Sequence, residues 1–348
     1  MAPVTNSRLI FNSPPGDGPF EPGKTLVVDN SHSIDVDTVA LDGGFLLKIL
    51  FVAPDPYLRG LMVGPGQPAL IDVPPFILGE SIIAPSVGVV VRSETGDVKV
   101  GDHICGALPA QNYVVKPGLE AGLLVIQNQY NIPLSAYLGV AGLAGMTAWM
   151  AWKEFIGTAK KGSTVFVSTA AGAVGSFVVQ LAKLDGCKVI ASTGSADRVA
   201  YIKEFGADVA FNYKEESTDE VLDKEGPLDI YWDNVGTKTL DSALAHAATN
   251  ARFISCGMIS AYDTRDATVK NLLQLIAKSI TIYGLNVATL IPKWAAEFFT
   301  EVPKLVAEGK VKFKEHRFEG LASFDDAFVG TMNGTINGTK AIIVVGSE

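Results

Sequence analysis

The middle of this chain alternates between short apolar segments and helical segments, and this alternation constrains the fold more than any other feature. Six segments rich in β-branched and aromatic residues recur between the helical ones, namely 164–168 (TVFVS), 188–192 (KVIAS), 209–211 (VAF), 228–232 (LDIYW), 252–256 (RFISC) and 280–284 (ITIYG). Repeated β-α units of this kind predict an α/β fold with a doubly wound parallel sheet, whose buried strands are apolar along most of their length.

The regions on either side of this alternation have a different pattern. The first 130 or so residues are rich in proline, glycine and short β-branched runs, which predicts an irregular β-rich domain. After a long helix near 291–309, a strand at 341–345 resumes the β character. We therefore predict two domains: residues 1–130 with 310–348 form the β-rich domain, and residues 131–309 form the doubly wound domain.

Charge and residue usage exclude several classes of function. A formal net charge of -9 without clustered lysine or arginine predicts neither a nucleic-acid partner nor a membrane partner. The N-terminal segment lacks the apolar core of a signal peptide, so we expect a cytoplasmic protein. The three cysteines and four histidines are scattered, and His103 with Cys105 has no third ligand nearby, so no metal site is predicted.

The segment 168–176 (STAAGAVGS) joins the first apolar segment of the alternation to a helix. Gly172 and Gly175 occupy the second and third glycine positions of the G-x-G-x-x-G dinucleotide motif, whereas Ala170 stands at the first. The N–H groups that open such a helix attract phosphate. The alternative is close helix–sheet packing without a ligand, but the strand–loop–helix context favours a nucleotide loop. A second glycine-rich segment, 139–145, follows no strand and predicts close packing instead.

The end of the second strand indicates which dinucleotide is bound. NAD-binding folds usually place an acidic residue there, but this strand ends in Ala191-Ser192-Thr193. Small hydroxyl residues leave room for a 2′-phosphate, and Arg198 lies near enough in sequence to pair with it. The alternative for Arg198 is a solvated side chain at the start of a helix. We predict NADPH as the cofactor.

Several longer segments together resemble one enzyme family. DPYLRGLM (55–62), YLGVAGLAGMTAW (137–149), GAVGS, TGSADRVAYIKEFGADVAFNYK, WDNVG, CGMISAY and GTINGTKAIIVV (334–345) are similar to segments of the NADPH-dependent alkenal/one reductases. These zinc-free members of the medium-chain dehydrogenase/reductase superfamily include prostaglandin reductases, leukotriene hydroxydehydrogenases and plant double-bond reductases. The resemblance implies a Rossmann-type NADPH-binding domain and a GroES-like β-rich substrate domain.

The resemblance also implies roles for individual residues. The pyrophosphate would be held by Gly172, Ala173, Val174 and Gly175, and the 2′-phosphate by Arg198 and Tyr213. The nicotinamide half would be lined by Asn234, Cys256, Ser260 and Tyr262, with Asn337 closing over it from the first domain. Tyr57 and Tyr262 would face the substrate. Outside the glycines, each residue has a simpler alternative: a strand-ending turn at Asn234, a small buried hydrophobe at Cys256, a core side chain at Tyr57.

The activity that the resemblance implies is reduction of the carbon–carbon double bond of α,β-unsaturated aldehydes and ketones. Hydride would reach the β-carbon, and Tyr262 with the cofactor ribose would stabilise the enolate. Family members are commonly homodimers, and the apolar segment 280–287 would pair at the subunit interface. Two alternatives stay open: a quinone oxidoreductase of the same superfamily, and a non-catalytic NADPH-binding protein.

Overall fold

The computed structural model describes residues 2–16, 18–336 and 340–347. The chain divides into two compact units, one of Gly139–Lys314 and the other of Met1–Leu138 with Glu315–Glu348. We refer to them as the nucleotide unit and the mixed-sheet unit. The predicted boundaries lie at 130/131 and 309/310. The segment between the predicted boundary at 130/131 and the observed one at 138/139 belongs to the mixed-sheet unit, where the Ser135 hydroxyl donates a hydrogen bond to Glu315 Oε2 over 3.0 Å.

The described strands are numbered along the chain. They are β1 (Val4–Thr5), β2 (Arg8–Phe11), β3 (Leu26–Asp29), β4 (Ser33–Ile34), β5 (Phe45–Val52), β6 (Ile83–Ser93), β7 (His103–Pro109), β8 (Tyr113–Lys116), β9 (Leu124–Val125), β10 (Thr164–Val167), β11 (Lys188–Thr193), β12 (Val209–Asn212), β13 (Leu228–Asp233), β14 (Ala247–Ser255), β15 (Thr281–Gly284), β16 (Glu315–Glu319) and β17 (Lys340–Val344).

The α-helices of the described residues follow the same numbering. They are α1 (Leu143–Ala151), α2 (Ala173–Leu184), α3 (Ala196–Glu204), α4 (Thr218–Glu225), α5 (Thr237–Ala245), α6 (Leu273–Ala277), α7 (Ile291–Ala307) and α8 (Phe324–Met332). Short 3₁₀ helices add single turns, of which Pro56–Leu61 and Ile259–Ala261 carry candidate site residues. None of the helices in the described part of the chain is both long and apolar enough to cross a membrane.

The nucleotide unit is built on a six-stranded sheet in the order β12-β11-β10-β13-β14-β15. Every neighbouring pair is parallel, which confirms the predicted doubly wound architecture. The strand order reverses between β10 and β13, and ligands of such sheets bind outside the carboxyl ends of the strands at this switch point. One face of the sheet is filled by stacked aromatic rings, including Phe166 on Tyr231 with ring centroids 5.0 Å apart.

The mixed-sheet unit contains a seven-stranded sheet in the order β16-β17-β5-β6-β7-β9, with β8 also paired to β5. Its strands pair antiparallel except for β16 with β17, which run parallel. The strands of residues 315–344 therefore complete a sheet begun before residue 130. A core of apolar side chains from this sheet packs against α8 and the 3₁₀ helix Pro56–Leu61.

The upstream glycine-rich segment serves packing, as its sequence context predicted. Gly145 lies in α1, where a Cβ atom would stand 1.8 Å from the carbonyl oxygen of Val140 and 3.2 Å from the ring of Phe298. Only glycine allows this approach, because the closer neighbour is backbone that cannot move aside.

Candidate active site

The loop between β10 and α2 contains a strained turn. Thr169 has a φ of +49°, a left-handed conformation that is unusual for a β-branched residue. Its carbonyl accepts a 3.0 Å hydrogen bond from Gly172 N–H, and Ala170 N–H bonds the carbonyl of Ser192 over 2.9 Å. The left-handed residue thus precedes Ala170, which explains why alanine can replace the first glycine of the motif. Backbone strain of this kind concentrates at functional sites.

Gly175 allows the start of α2 to pack directly on this turn. A Cβ atom at position 175 would lie 2.6 Å from the carbonyl oxygen of Thr169 and 2.8 Å from Cα of Ala170. In α2 the N–H of Ser176 bonds back to the carbonyl of Gly172, and the N–H groups of Ala173 and Val174 precede it. Such first-turn N–H groups have no partner within their helix and suit an anion. The cradle therefore has the shape and the donors that a pyrophosphate requires.

A basic and aromatic cluster lies where β11 and β12 end. Tyr213 N–H bonds the carbonyl of Thr193 over 3.0 Å, and a Cβ atom on Gly194 would stand 3.1 Å from the Tyr213 hydroxyl oxygen. Burial lowers the pKa of Arg198, while the nearby phenols of Tyr213 and Tyr201 act in the opposite direction. Arg198 keeps its charge at any physiological pH. Arg198 and Tyr213, predicted together as holders of the 2′-phosphate, thus lie near one another, and 48% of Tyr213 is exposed to solvent.

Two lysines near this cluster were missed by sequence reasoning. The ammonium of Lys314 lies 5.6 Å from the ring centroid of Tyr201, and that of Lys214 lies 6.0 Å from the Tyr213 ring. Lys214 directly follows Tyr213, so its place near the cluster could have been inferred from the sequence. Lys314 is far from Arg198 in sequence, so only the fold reveals that it adds positive charge here.

The loop after β13 is organised by a buried carboxylate that the sequence analysis did not single out. Asp233 Oδ1 accepts hydrogen bonds from the Tyr231 hydroxyl at 2.7 Å and from the N–H groups of Val235 at 3.0 Å and Gly236 at 2.8 Å. Burial raises the pKa of Asp233. The amide of Asn234 donates to the carbonyl of Ser168 over 2.6 Å, which ties this loop to the end of β10.

The loop after β14 lies against the loop after β13. The Ser260 hydroxyl donates to the carbonyl of Val235 over 2.6 Å and lies 2.9 Å from the Thr237 hydroxyl. Ile259 N–H bonds the carbonyl of Asn234 over 3.3 Å. Because of these bonds, Asn234, Cys256, Ser260 and Tyr262 form one cluster at the carboxyl edge of the sheet.

Tyr262 presents its phenol above the backbone of this cluster. A Cβ atom on Gly257 would stand 3.3 Å from the hydroxyl oxygen of Tyr262. Burial raises the pKa of Tyr262, the neighbouring Cys256 raises it further, and a backbone hydrogen bond from Met258 works against both. A raised pKa keeps the phenol protonated, so the group is a hydrogen-bond donor at neutral and mildly alkaline pH.

Cys256 is a half-buried residue within the same cluster. Its pKa is raised to about 12 by burial and by the charge of Asp233, against the effect of a hydrogen bond from the Trp232 indole. The protonated thiol behaves as a small apolar group. Cys256 can therefore act as a small hydrophobic side chain and still lie beside Asn234 and Tyr262, so the two predictions for this residue are compatible.

Tyr57 belongs to the mixed-sheet unit, where it lies in the 3₁₀ helix Pro56–Leu61 and is half-buried against the core. Burial and then the charge of Asp55 raise its pKa. The neighbouring Arg59 is buried and donates to the carbonyls of Gly16 at 3.2 Å and Gly18 at 2.6 Å. Asn337 lies outside the described residues.

The structure brings ten predicted residues to one edge of one sheet. The loops and first helical turns after β10, β11, β12, β13 and β14 carry, in chain order, Gly172, Ala173, Val174, Gly175, Arg198, Tyr213, Asn234, Cys256, Ser260 and Tyr262. Within residues 2–16, 18–336 and 340–347, no group of three or more His, Cys, Asp or Glu side chains is arranged to hold a metal ion.

Comparison with protein families and known proteins gives consistent matches. The family model described as "Zinc-binding dehydrogenase" matches residues 173–306, and the model described as "N-terminal domain of oxidoreductase" matches residues 32–124. The chain is 37% identical to the NADP-dependent oxidoreductase RED1 of Cochliobolus heterostrophus, over 98% of this chain and 97% of that one. It is 36% identical to an NADP(+)-dependent 2-alkenal reductase of Nicotiana tabacum, over 86% of this chain and 87% of the relative.

A solved structure agrees with these sequence matches. The crystal structure of CurA from Vibrio vulnificus in complex with NADPH superposes with a TM-score of 0.86 at 28% sequence identity, covering 98% of this chain and 100% of the other. The likeness therefore extends over the residues of both units. The similar protein was solved with NADPH, the cofactor predicted here.

Proposed function

Because this chain belongs to the NADPH-dependent alkenal/one reductases, the zinc-free branch of the medium-chain dehydrogenase/reductases, we propose that it reduces the carbon–carbon double bond of α,β-unsaturated aldehydes and ketones. The chain is an NADPH-dependent oxidoreductase. The observation that carries the finer proposal is the Tyr262 phenol, kept protonated and held over Gly257 beside the Asn234 loop.

The carboxyl edge of the parallel sheet fits the cofactor in two places. The first turn of α2, from Gly172 through Ala173 and Val174 to Gly175, would hold the pyrophosphate through backbone N–H groups. Arg198 and Tyr213 would hold the 2′-phosphate, with Lys314 adding positive charge nearby. Bound NADPH supplies the hydride.

The nicotinamide half would lie over the hydrogen-bonded cluster of Asn234, Cys256 and Ser260. The loops after β13 and β14 brace one another through Ser260 and Val235, so this surface is set before a ligand arrives. Preorganised groups stabilise developing charge better than water does, because they need no rearrangement during the reaction. Asn337, outside the described residues, remains a predicted further contact.

The chemical role of Tyr262 follows from the charge that the reaction creates. Hydride addition at the β-carbon shifts the electron pair of the double bond toward the carbonyl and leaves negative charge on its oxygen as an enolate. A protonated phenol donates a hydrogen bond to that oxygen. The α-carbon then takes a proton, from Tyr262 or from water, to give the saturated carbonyl product. Tyr57 is proposed to contact the substrate from the mixed-sheet unit.

The test is the rate of NADPH oxidation with a panel of enals, enones, saturated aldehydes and quinones, followed by the loss of near-ultraviolet absorbance of the reduced nicotinamide. We expect enals or enones to be consumed fastest and their saturated analogues to be the products. Faster consumption of a quinone or a saturated aldehyde than of every enal contradicts the proposal. Cofactor binding without turnover of any acceptor would identify a non-catalytic NADPH-binding protein.

We further propose that the protein forms a homodimer through β15, the last strand of the six-stranded sheet. One side of Thr281–Gly284 pairs with β14, and the opposite edge has no neighbour among the described strands. Unpaired strand edges favour pairing with another chain. The exposed side chains of Leu273 and Ile276 on the preceding helix add apolar surface. Light scattering after size-exclusion chromatography tests this, and a monomer of 36.8 kDa would contradict it.

A further inference from the structure

Two charged side chains that are far apart in the sequence meet inside the mixed-sheet unit. The ammonium of Lys340 donates a hydrogen bond to Oδ1 of Asp55, although 285 residues separate them. Only 9% of Asp55 and 5% of Lys340 is exposed to solvent. Burying two charges removes their hydration, and well-packed apolar residues often serve stability as well or better. The pair therefore calls for an explanation other than stability.

Asp55 occupies a helix N-cap position, where an aspartate usually caps the helix. It is the N-cap residue of the 3₁₀ helix Pro56–Leu61, a position from which a carboxylate normally accepts hydrogen bonds from the helix N–H groups. The Asp55 side chain makes no such capping bond. Its Oδ1 points to Lys340 instead, and its Oδ2 has no hydrogen-bond partner among the described residues. The carboxylate is thus used to join the helix to β17.

Lys340 provides a firm attachment point because it opens a strand inside the sheet. It is the first residue of β17, opposite Glu315 of β16, and β17 also pairs with β5. The following residues Ala341 and Ile343 are buried in the core of the unit. An ammonium fixed to this strand holds the start of the helix in one place.

The helix attached in this way carries Tyr57 two residues after Asp55. Leu58 and Leu61 anchor the helix in the core, whereas Tyr57 is only half-buried at its edge. The proximity of Asp55 to Tyr57 is also evident in the pKa of the tyrosine, which the carboxylate charge raises after burial.

We propose that Asp55 and Lys340 are positioning residues that fix the orientation in which Tyr57 is presented to the substrate. The proposal rests on the function proposed above in one respect, namely that Tyr57 contacts the substrate. It assigns the buried pair to the geometry of the site rather than to the stability of the fold. Neither residue touches the reacting atoms in this scheme.

Three variants separate positioning from stability. Lys340→Met leaves the buried carboxylate uncompensated, so we expect Tm to fall by roughly 5 °C or more. The double variant Asp55→Val/Lys340→Met removes both charges, and we expect its Tm to return to within about 2 °C of the unmodified protein. Lys340→Arg keeps the charge and the hydrogen-bonding capacity. Lys116→Met, which removes the partner of Glu120 in the same unit, is the matched control.

The decisive measurements are made on the double variant. If the pair positions Tyr57, amide hydrogen exchange of residues 57–61 is about tenfold faster than in the unmodified protein even though Tm is restored. The kcat/KM for an enal falls about tenfold while the KM for NADPH changes less than about twofold. Lys340→Arg retains most of the kcat/KM that the double variant loses. Lys116→Met alters neither the exchange nor the kcat/KM.

The outcomes distinguish this proposal from the proposed function. Unchanged exchange of residues 57–61 in the double variant, or full kcat/KM at restored Tm, overturns the positioning role and leaves the pair purely structural. Faster exchange in a protein whose unmodified form reduces no enal supports the attachment and contradicts only the proposed function.

Discussion

The two regions that carry the proposed site residues are built in different ways. In the nucleotide unit, every candidate residue lies in the loop or first helical turn after a strand of one parallel sheet, from Gly172 after β10 to Tyr262 after β14. In the mixed-sheet unit, the helix of Tyr57 is held by Asp55 and Lys340, which are 285 residues apart. Strand order alone places the first set, whereas the second depends on a specific tertiary contact. A regular architecture thus makes a site predictable, and an irregular one requires individual attachments.

The largest expected effect tests the nucleotide unit, the more regular of the two. Gly175→Ala places a Cβ atom 2.6 Å from the carbonyl oxygen of Thr169 and 2.8 Å from Cα of Ala170, so backbone must shift. We expect the Kd for NADPH, measured by calorimetry, to rise about 100-fold or more because the phosphate cradle is displaced. Gly96→Ala is the control, since its added Cβ meets nothing within 4 Å. An unchanged Kd would mean that Gly175 does not shape the cradle.

The second effect concerns the chemistry at the same edge. Tyr262→Phe removes the proposed donor to the enolate oxygen, and we expect kcat with an enal to fall about 100-fold. We expect the Kd for NADPH to change little, because the phenylalanine ring can still line the nicotinamide half. Tyr283→Phe is the control in the same unit, where the ring of Tyr283 stacks on Phe155 with centroids 4.7 Å apart. Equal rates for both variants would remove Tyr262 from its proposed role.

A smaller effect tests the choice between cofactors. Arg198→Gln removes the charge proposed to pair with the 2′-phosphate, so we expect the Kd for NADPH to rise about 10- to 30-fold. Binding of NADH, which lacks this phosphate, stays constant. Lys203→Gln changes the net charge equally on the same helix α3 and is expected to leave both cofactors unaffected. A parallel loss of NADH and NADPH binding would indicate a disturbed fold.

The smallest effect is the pH dependence that Tyr262 contributes. Its raised pKa means that the neutral, donating phenol persists to higher pH than an ordinary tyrosine with a pKa of about 10. We therefore expect kcat/KM for an enal to show no loss from this group between about pH 7 and pH 9.5. A decline in this range that disappears in Tyr262→Phe would show that the phenol ionises earlier than its buried position implies.

The sequence predicted most of the nucleotide unit, because each βα unit leaves a local signal. The six apolar segments, the Gly172–Gly175 turn and the non-acidic end of β11 can each be recognised from a few consecutive residues. Asp233 is adjacent to the predicted Asn234, yet nothing in the local pattern shows that its Oδ1 accepts three hydrogen bonds. That role depends on Tyr231 being buried beside it.

Features of the mixed-sheet unit were harder to predict because they depend on distant partners. The two-residue strands β1 and β4 exist only through pairing with each other, and such short segments carry no periodicity. Lys340 resembles any lysine at the start of a strand until Asp55 is placed beside it. The same limit applies in the nucleotide unit to Lys314, which only the folded chain brings close to Tyr201.

The burial of the thiols has a consequence for the lifetime of the protein. Burial is the main cause that raises the pKa of Cys105 and Cys256 to about 12 and that of Cys187 to about 11. Since the thiolate is the nucleophile, a thiol with a pKa of about 12 is ionised in roughly one molecule in 100,000 at pH 7. The unsaturated carbonyl compounds proposed as substrates are electrophiles that add to thiolates. Cysteines that stay protonated are therefore expected to add to such substrates more slowly than exposed cysteines with an ordinary pKa.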